Sequence, residues 1–132
     1  MKDAYTNWRE IADGNLTATE TSAAIELGPA PMGGHAVMVT IPERNANADT
    51  LDITFTQSAT LGGSYATFHT RAQVTGTAVN AVSGGLVQKF TIENTLPFVK
   101  CVMTVGGATP DFGDVTAGLD VGARANFLTV GD

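Results

Sequence analysis

The sequence predicts an all-β domain, an antiparallel sandwich or barrel of about eight strands. Three observations carry that expectation. Apolar residues recur every second position rather than every 3.6, which is the spacing of one face of a strand. Threonine is abundant, and its β-branched side chain fits a pleated, half-exposed surface better than a helix. The 15 glycines and 5 prolines cluster in gaps about ten residues apart, at Gly28-Pro29 to Gly33-Gly34, Gly62-Gly63, Gly84-Gly85 and Gly106-Gly107. No helical stretch is long enough for a parallel crossover, so the strands should pair antiparallel.

Taken in order, the first strand candidate runs from Thr17 to Leu27. Val37, Val39 and Ile41 mark the second. The third is the clearest, because Leu51, Ile53 and Phe55 alternate with Asp52, Thr54 and Thr56 and so give one buried face. Tyr65 to Arg71 and Gln73 to Val79 follow, and then Leu86, Phe90 and Ile92 with Gln88 among them. Val99, Cys101, Met103 and Val105 share a face while Phe98 and Val102 occupy the other, so this strand is apolar on both sides and belongs in a sheet interior. Val115, Ala117, Leu119 and Val121 form the eighth. Before all of these, Tyr5 to Ala12 reads as a short helical piece with Trp8, Ile11 and Ala12 on one side.

A length of 132 residues fits a single domain, read as an N-terminal arm over 1–14 and a sandwich over 15–132. The net charge is −6 and the isoelectric point about 4.6. The basic residues Lys2, Arg9, Arg44, Arg71, Lys89, Lys100 and Arg124 are scattered, so no stripe exists to neutralise a phosphate backbone, and no nucleic-acid partner is expected. No apolar run approaches the ~20 residues of a membrane helix, and no membrane partner is expected. The opening MKDAYTNWRE lacks the apolar core of a secretory leader, which implies synthesis in the cytoplasm. The single cysteine, Cys101, has no internal partner for a disulfide.

Residues able to carry chemistry are sparse. His35 and His69 have no second histidine or cysteine at ligand spacing, so both read as surface or interface imidazoles. Cys101 alternates with Val99 and Met103 and reads as a small core hydrophobe. Asp49, Asp52, Asp111, Asp114 and Asp120 do not follow the twelve-residue calcium loop and read as solvated loop carboxylates. The glycine pairs lack both phosphate-loop forms and read as turns. These patterns predict no metal, no cofactor and no enzymatic activity, with a sandwich-fold hydrolase the least favoured reading because no acid/base pair is visible.

Read in order, the strands and turns of the chain carry a run of motifs similar to those of one known family. The matching run begins at Asn15-Leu16-Thr17-Ala18-Thr19 and Ala24-Ile25-Glu26-Leu27-Gly28, which is similar to the family's opening strand and turn. It continues through Ala36-Val37-Met38-Val39-Thr40 and through Thr50 to Ser58, which resembles a T-L-x-V-x-L-Q-x-S strand and is the clearest match. Gly62-Gly63-Ser64-Tyr65 resembles the following glycine turn and aromatic. Leu96 to Val105 is similar to an L-P-x-x-Y-(L/V)-(R/K)-(L/V) strand, with Phe98 and Lys100 departing from it, and Val115-Thr116-Ala117-Gly118-Leu119 resembles the family's ending. These strand-and-turn patterns span about residues 15–121, and through them the chain resembles a jelly-roll-like family of phage capsid cement, or head decoration, proteins.

That likeness implies an antiparallel jelly-roll-like β-sandwich. It also implies a protein of the outer virion surface that binds the major capsid protein and associates with itself as a dimer or trimer. The expected contact residues are Trp8 and Arg9 in the arm and Phe127, Leu128 and Val130 in the tail, since apolar groups beyond the last strand need a partner. A carbohydrate-binding sandwich is the alternative, with Tyr5, Trp8 and Tyr65 as the only candidate stacking rings.

Overall fold

The computed structural model describes residues 7–42 and 48–120, and these form two antiparallel sheets packed against each other, an all-β sandwich. One sheet contains β1 (Asn7–Arg9), β4 (His35–Ile41), β8 (Leu86–Ile92) and β10 (Thr116–Leu119), in the order β1-β10-β4-β8. The other contains β2 (Glu20–Thr21), β3 (Ile25–Glu26), β5 (Thr50–Ser58), β6 (Ala66–Thr70), β7 (Val74–Thr75) and β9 (Phe98–Gly106). Its order is β2-β9-β5-β6, with β3 also on β9 and β7 also on β5. The chain crosses from sheet to sheet six times, after β1, β3, β4, β7, β8 and β9, so neither sheet is a simple meander.

The alternations become inward faces. Leu51, Ile53 and Phe55 of β5 are fully buried, as are Val37, Val39 and Ile41 of β4. β9 lies inside its sheet between β2 and β5, as its two-sided apolar pattern predicts, and pairs with β5 from Thr50↔Gly106 to Ser58↔Phe98. The two sheets meet through aromatic rings. Phe55 receives the edge of Trp8 at 5.2 Å between centroids and that of Phe90 at 5.8 Å, one ring from each side of the facing sheet. Leu16, Phe112 and Val115 close one end of this core, where Leu16 N donates to Gly113 O and Phe112 N donates to Leu16 O.

Three local expectations are corrected. Residues 7–14 are not an arm outside the sandwich: Asn7–Arg9 is a strand paired with β10, and Ile11–Asp13 is a turn of 3₁₀ helix rather than part of a helix from Tyr5. The register shifts between Asn7 and Arg9, and this irregularity lets the neighbouring side chains Trp8 and Arg9 both be buried. Gln73 to Val79 is not one strand, because β7 stops after two residues and α1 (Gly76–Asn80) begins, its amino end capped by Thr75 Oγ1 accepting from Ala78 N. Val74 and Val79 are an odd number of positions apart and would face opposite ways in a strand; the helical turn buries both. Thr17 to Leu27 is broken into β2 and β3, and between them Ser22 N donates to Cys101 O while Ser22 Oγ accepts from Cys101 N, so a hydroxyl replaces a ladder carbonyl.

Candidate functional site

Trp8 lies inside the sandwich. Its ring is packed on Phe55, and its Nε1 donates to the carbonyl of Val99 at 2.9 Å, tying β1 to the opposite sheet. Arg9 is buried as well. Its Nη1 donates to Val115 O at 2.8 Å, and its Nε and Nη2 grip the two oxygens of Glu20 at 3.1 Å each, a bidentate pair whose carboxylate side faces solvent. Neither residue therefore offers a free contact surface, and both serve to fasten the first strand. Phe127, Leu128 and Val130, like Tyr5, lie outside the described residues.

A cleft of about 220 Å³ opens between β1 and β2, lined by Trp8, Arg9, Glu20, Ser22, Cys101 and Met103. A second, more open depression of about 340 Å³ lies on the other side of Arg9, against Asn7, Glu10, Ile11 and Thr116. In the first, the Ser22 hydroxyl donates to Ala23 O and accepts from Cys101 N, and the Glu20 carboxylate is held by Arg9. Cys101 is buried, and desolvation pushes its thiol up to about 12, so it stays protonated and inert at neutral pH.

The histidines occupy separate places. His35 begins β4, with Nε2 at 3.4 Å from Gly28 O. His69 stands in the seam between β6 and β8, its ring stacked on Phe90 at 5.5 Å and 4° and edge-on to Phe55. The Arg71 guanidinium lies 4.0 Å over the same Phe90 ring. Burial first, and then the charge of Arg71, lower the His69 pKa below its ordinary 6.5.

The aspartates do not converge on a common point. Asp52 accepts both bonds of the Gln73 amide. Asp111 accepts from Gly113 N. Asp49, expected as a solvated loop carboxylate, is buried instead: its Oδ2 accepts from Asp111 N at 2.8 Å and its carbonyl from Gly76 N at 2.9 Å, so one residue brackets two connections. Among the described residues, no group of three or more His, Cys, Asp or Glu side chains is placed to hold a metal ion.

As a sugar platform the rings are poorly disposed. Trp8 is covered, and Tyr65 has the Lys100 ammonium 4.2 Å over its face while its hydroxyl donates to Leu61 O. Reading from sequence overlooked a different feature, the large apolar side chains held outward on loops: Met32, Leu61 and Leu96. A signal for the first was present in Pro31-Met32-Gly33-Gly34, a turn sequence that puts its second residue at the tip. Among the described residues, no helix is long and apolar enough to cross a membrane. No protein-family model matches the chain, and no curated protein matches its sequence.

Proposed function

We propose that this chain is a capsid cement, or head decoration, protein that binds the outer surface of an assembled phage head and stabilises contacts between major capsid subunits without catalysing a reaction. The observation that supports this reading is the pairing of the clearest matching segment with a second segment similar to that family. Thr50–Ser58 and Phe98–Gly106 are adjacent strands in one sheet of a sandwich, paired along their whole length. Two further similar segments, Val37 to Thr40 and Thr116 to Leu119, are paired neighbours in the facing sheet.

The physics of such a role requires a rigid body with a selective surface and no reaction centre. A protein that binds the assembled lattice better than free subunits stabilises the lattice by mass action. Copies that bridge several subunits, or that associate as a dimer or trimer, gain further through effective concentration. A net charge of −6 suits the outside of a shell, because the inner wall faces DNA. The protein is then made in the host cytoplasm and ends on the virion surface.

Purified protein added to heads of the source phage assembled without it should bind saturably and raise the temperature at which the heads release DNA. Absence of binding to expanded heads, at protein concentrations well above those of a working virion, would refute the assignment.

A further inference from the structure

The connections 27–34, 59–65 and 93–97 gather at one end of the sandwich. β4 starts there at His35 opposite Ile92, the last residue of β8, and β9 starts there at Phe98 opposite Ser58, the last residue of β5. Each connection holds a large apolar side chain outward: Met32 is fully exposed, Leu61 is 62% exposed and Leu96 is 36% exposed. Ile11 and Val82, by contrast, stand on other connections, and single exposed apolar residues are ordinary on any surface.

These three loops are pinned. Gly34 N donates to Pro31 O at 2.9 Å, closing the turn that carries Met32, with Gly33 at φ +90°. Asn94, itself buried, donates through Nδ2 to Gly28 O and Leu96 O at 2.8 Å each, and its backbone carbonyl accepts from Ala30 N, so the first and third loops are laced together. Gln57 Oε1 accepts from Thr95 N and Leu96 N, which ties the third loop to the end of β5. Ser58 Oγ donates to Thr60 O and Tyr65 OH to Leu61 O, which fix the second. A loop backbone held in place beforehand loses little further freedom when a partner covers it, so the cost of ordering falls on the side chains alone. Of the charges at this end, Glu26 at the end of β3 and Glu93 after β8 are exposed, whereas Lys100 is half-buried with its ammonium over the Tyr65 ring.

We propose that Met32, Leu61 and Leu96 form the face that docks on the shell, and that the occupant is an apolar protein surface of the major capsid protein bordered by lysine or arginine. This inference rests on the cement reading and names the surface through which it would act. The apolar tips supply the buried centre of the contact, and Glu26 and Glu93 supply its charged border.

The test uses full-length protein and heads of the source phage assembled without it. The double variant Met32→Asp, Leu61→Asp should bind at least about tenfold more weakly, the loss expected when a central anchor is removed. Val82→Asp, on the connection at the other end of β8, should bind as the original does, and both variants should melt within a few degrees of it. Peroxide footprinting reads the same face independently. Met32 should oxidise fastest in the free protein and be protected on heads, with buried Met103 as the slow reference.

If the original protein binds and the double variant binds equally well, this face is refuted while the cement reading stands. If Val82→Asp alone weakens binding, the docking face is the opposite end. Slow oxidation of Met32 in the free protein would mean that another part of this chain or a second copy already covers the face, which also overturns the proposal. Failure of the original protein to bind heads removes the cement reading and this inference with it.

Discussion

Phe55→Ala removes the ring on which the two sheets converge. The side chain is fully buried, and it makes edge contacts with Trp8 at 5.2 Å and with Phe90 at 5.8 Å across the sandwich. Truncating a buried phenylalanine costs roughly 3–5 kcal/mol through lost transfer energy and the cavity left behind. The aromatic pairs add about 0.5–1.5 kcal/mol each beyond area, so a loss in the upper half of that range, about 4–5 kcal/mol, is expected. Against a total of about 5–15 kcal/mol for an ordinary domain, the variant should lie close to its unfolding threshold. Equilibrium urea unfolding followed by fluorescence of Trp8, the single tryptophan, measures this directly because that ring sits on Phe55. Thr54→Ala, on the other face of the same strand, should change stability by no more than about 0.5 kcal/mol. A loss below about 1 kcal/mol for Phe55→Ala, at unchanged urea dependence, would mean that β5 buries its other face and that the account of the core is wrong.

Four further outcomes are expected. Cys101 should resist a thiol reagent at pH 8 in the native protein and react in urea; because its folded pKa near 12 exceeds the ordinary 9.0, stability should fall as pH rises between those values, by up to about 1.4 kcal/mol per unit, and Cys101→Ala should abolish that slope. His69 should titrate below 6.5 by NMR, and since the unfolded chain takes up its proton first, stability should drop on acidification below that value, an effect absent in His69→Gln. Gly34→Ala should destabilise by about 1–3 kcal/mol in a thermal melt, because Gly34 sits at φ +84° and a Cβ there would stand 2.6 Å from Ile92 O; a neutral result would show that this turn relaxes freely. Glu20→Ala should cost about 1–2 kcal/mol, less than a fully buried pair, because the carboxylate is partly exposed while the Arg9 guanidinium it leaves behind is not; an unchanged melting temperature would show that solvent replaces it.

The strand faces were legible wherever burial alone decides the residue. β4, β5 and β9 announce themselves because one side of each strand must be apolar, and in β9 because both sides are. Where polar groups replace that rule, the pattern fails. Trp8 and Arg9 are adjacent and both buried, which no simple alternation allows; a register irregularity and three guanidinium bonds make it possible. Thr75 gave a capping signal for α1 that a strand reading of Gln73 to Val79 passed over. Asp49 looks like any loop carboxylate in sequence, since its partners Asp111 and Gly76 are far away along the chain. The exposed trio Met32, Leu61 and Leu96 escaped for the same reason: its members share an end only after the strands have paired.

Those long-range polar brackets link the fold to its proposed use. A sandwich core holds its strands, but it does not by itself hold the connections, which in most domains are the first parts to open. Here Asn94 and Gln57 spend side-chain bonds on the backbone of connections at one end, and Asp49 does so at the other. Asn94 and Asp49 are buried, so removing either side chain would leave backbone groups without partners in a place where water enters poorly. Loops fastened in this way hold the backbone under their apolar tips in place without burying the side chains. That combination sets the three tips on fixed backbone, which is the arrangement the proposed docking face would use.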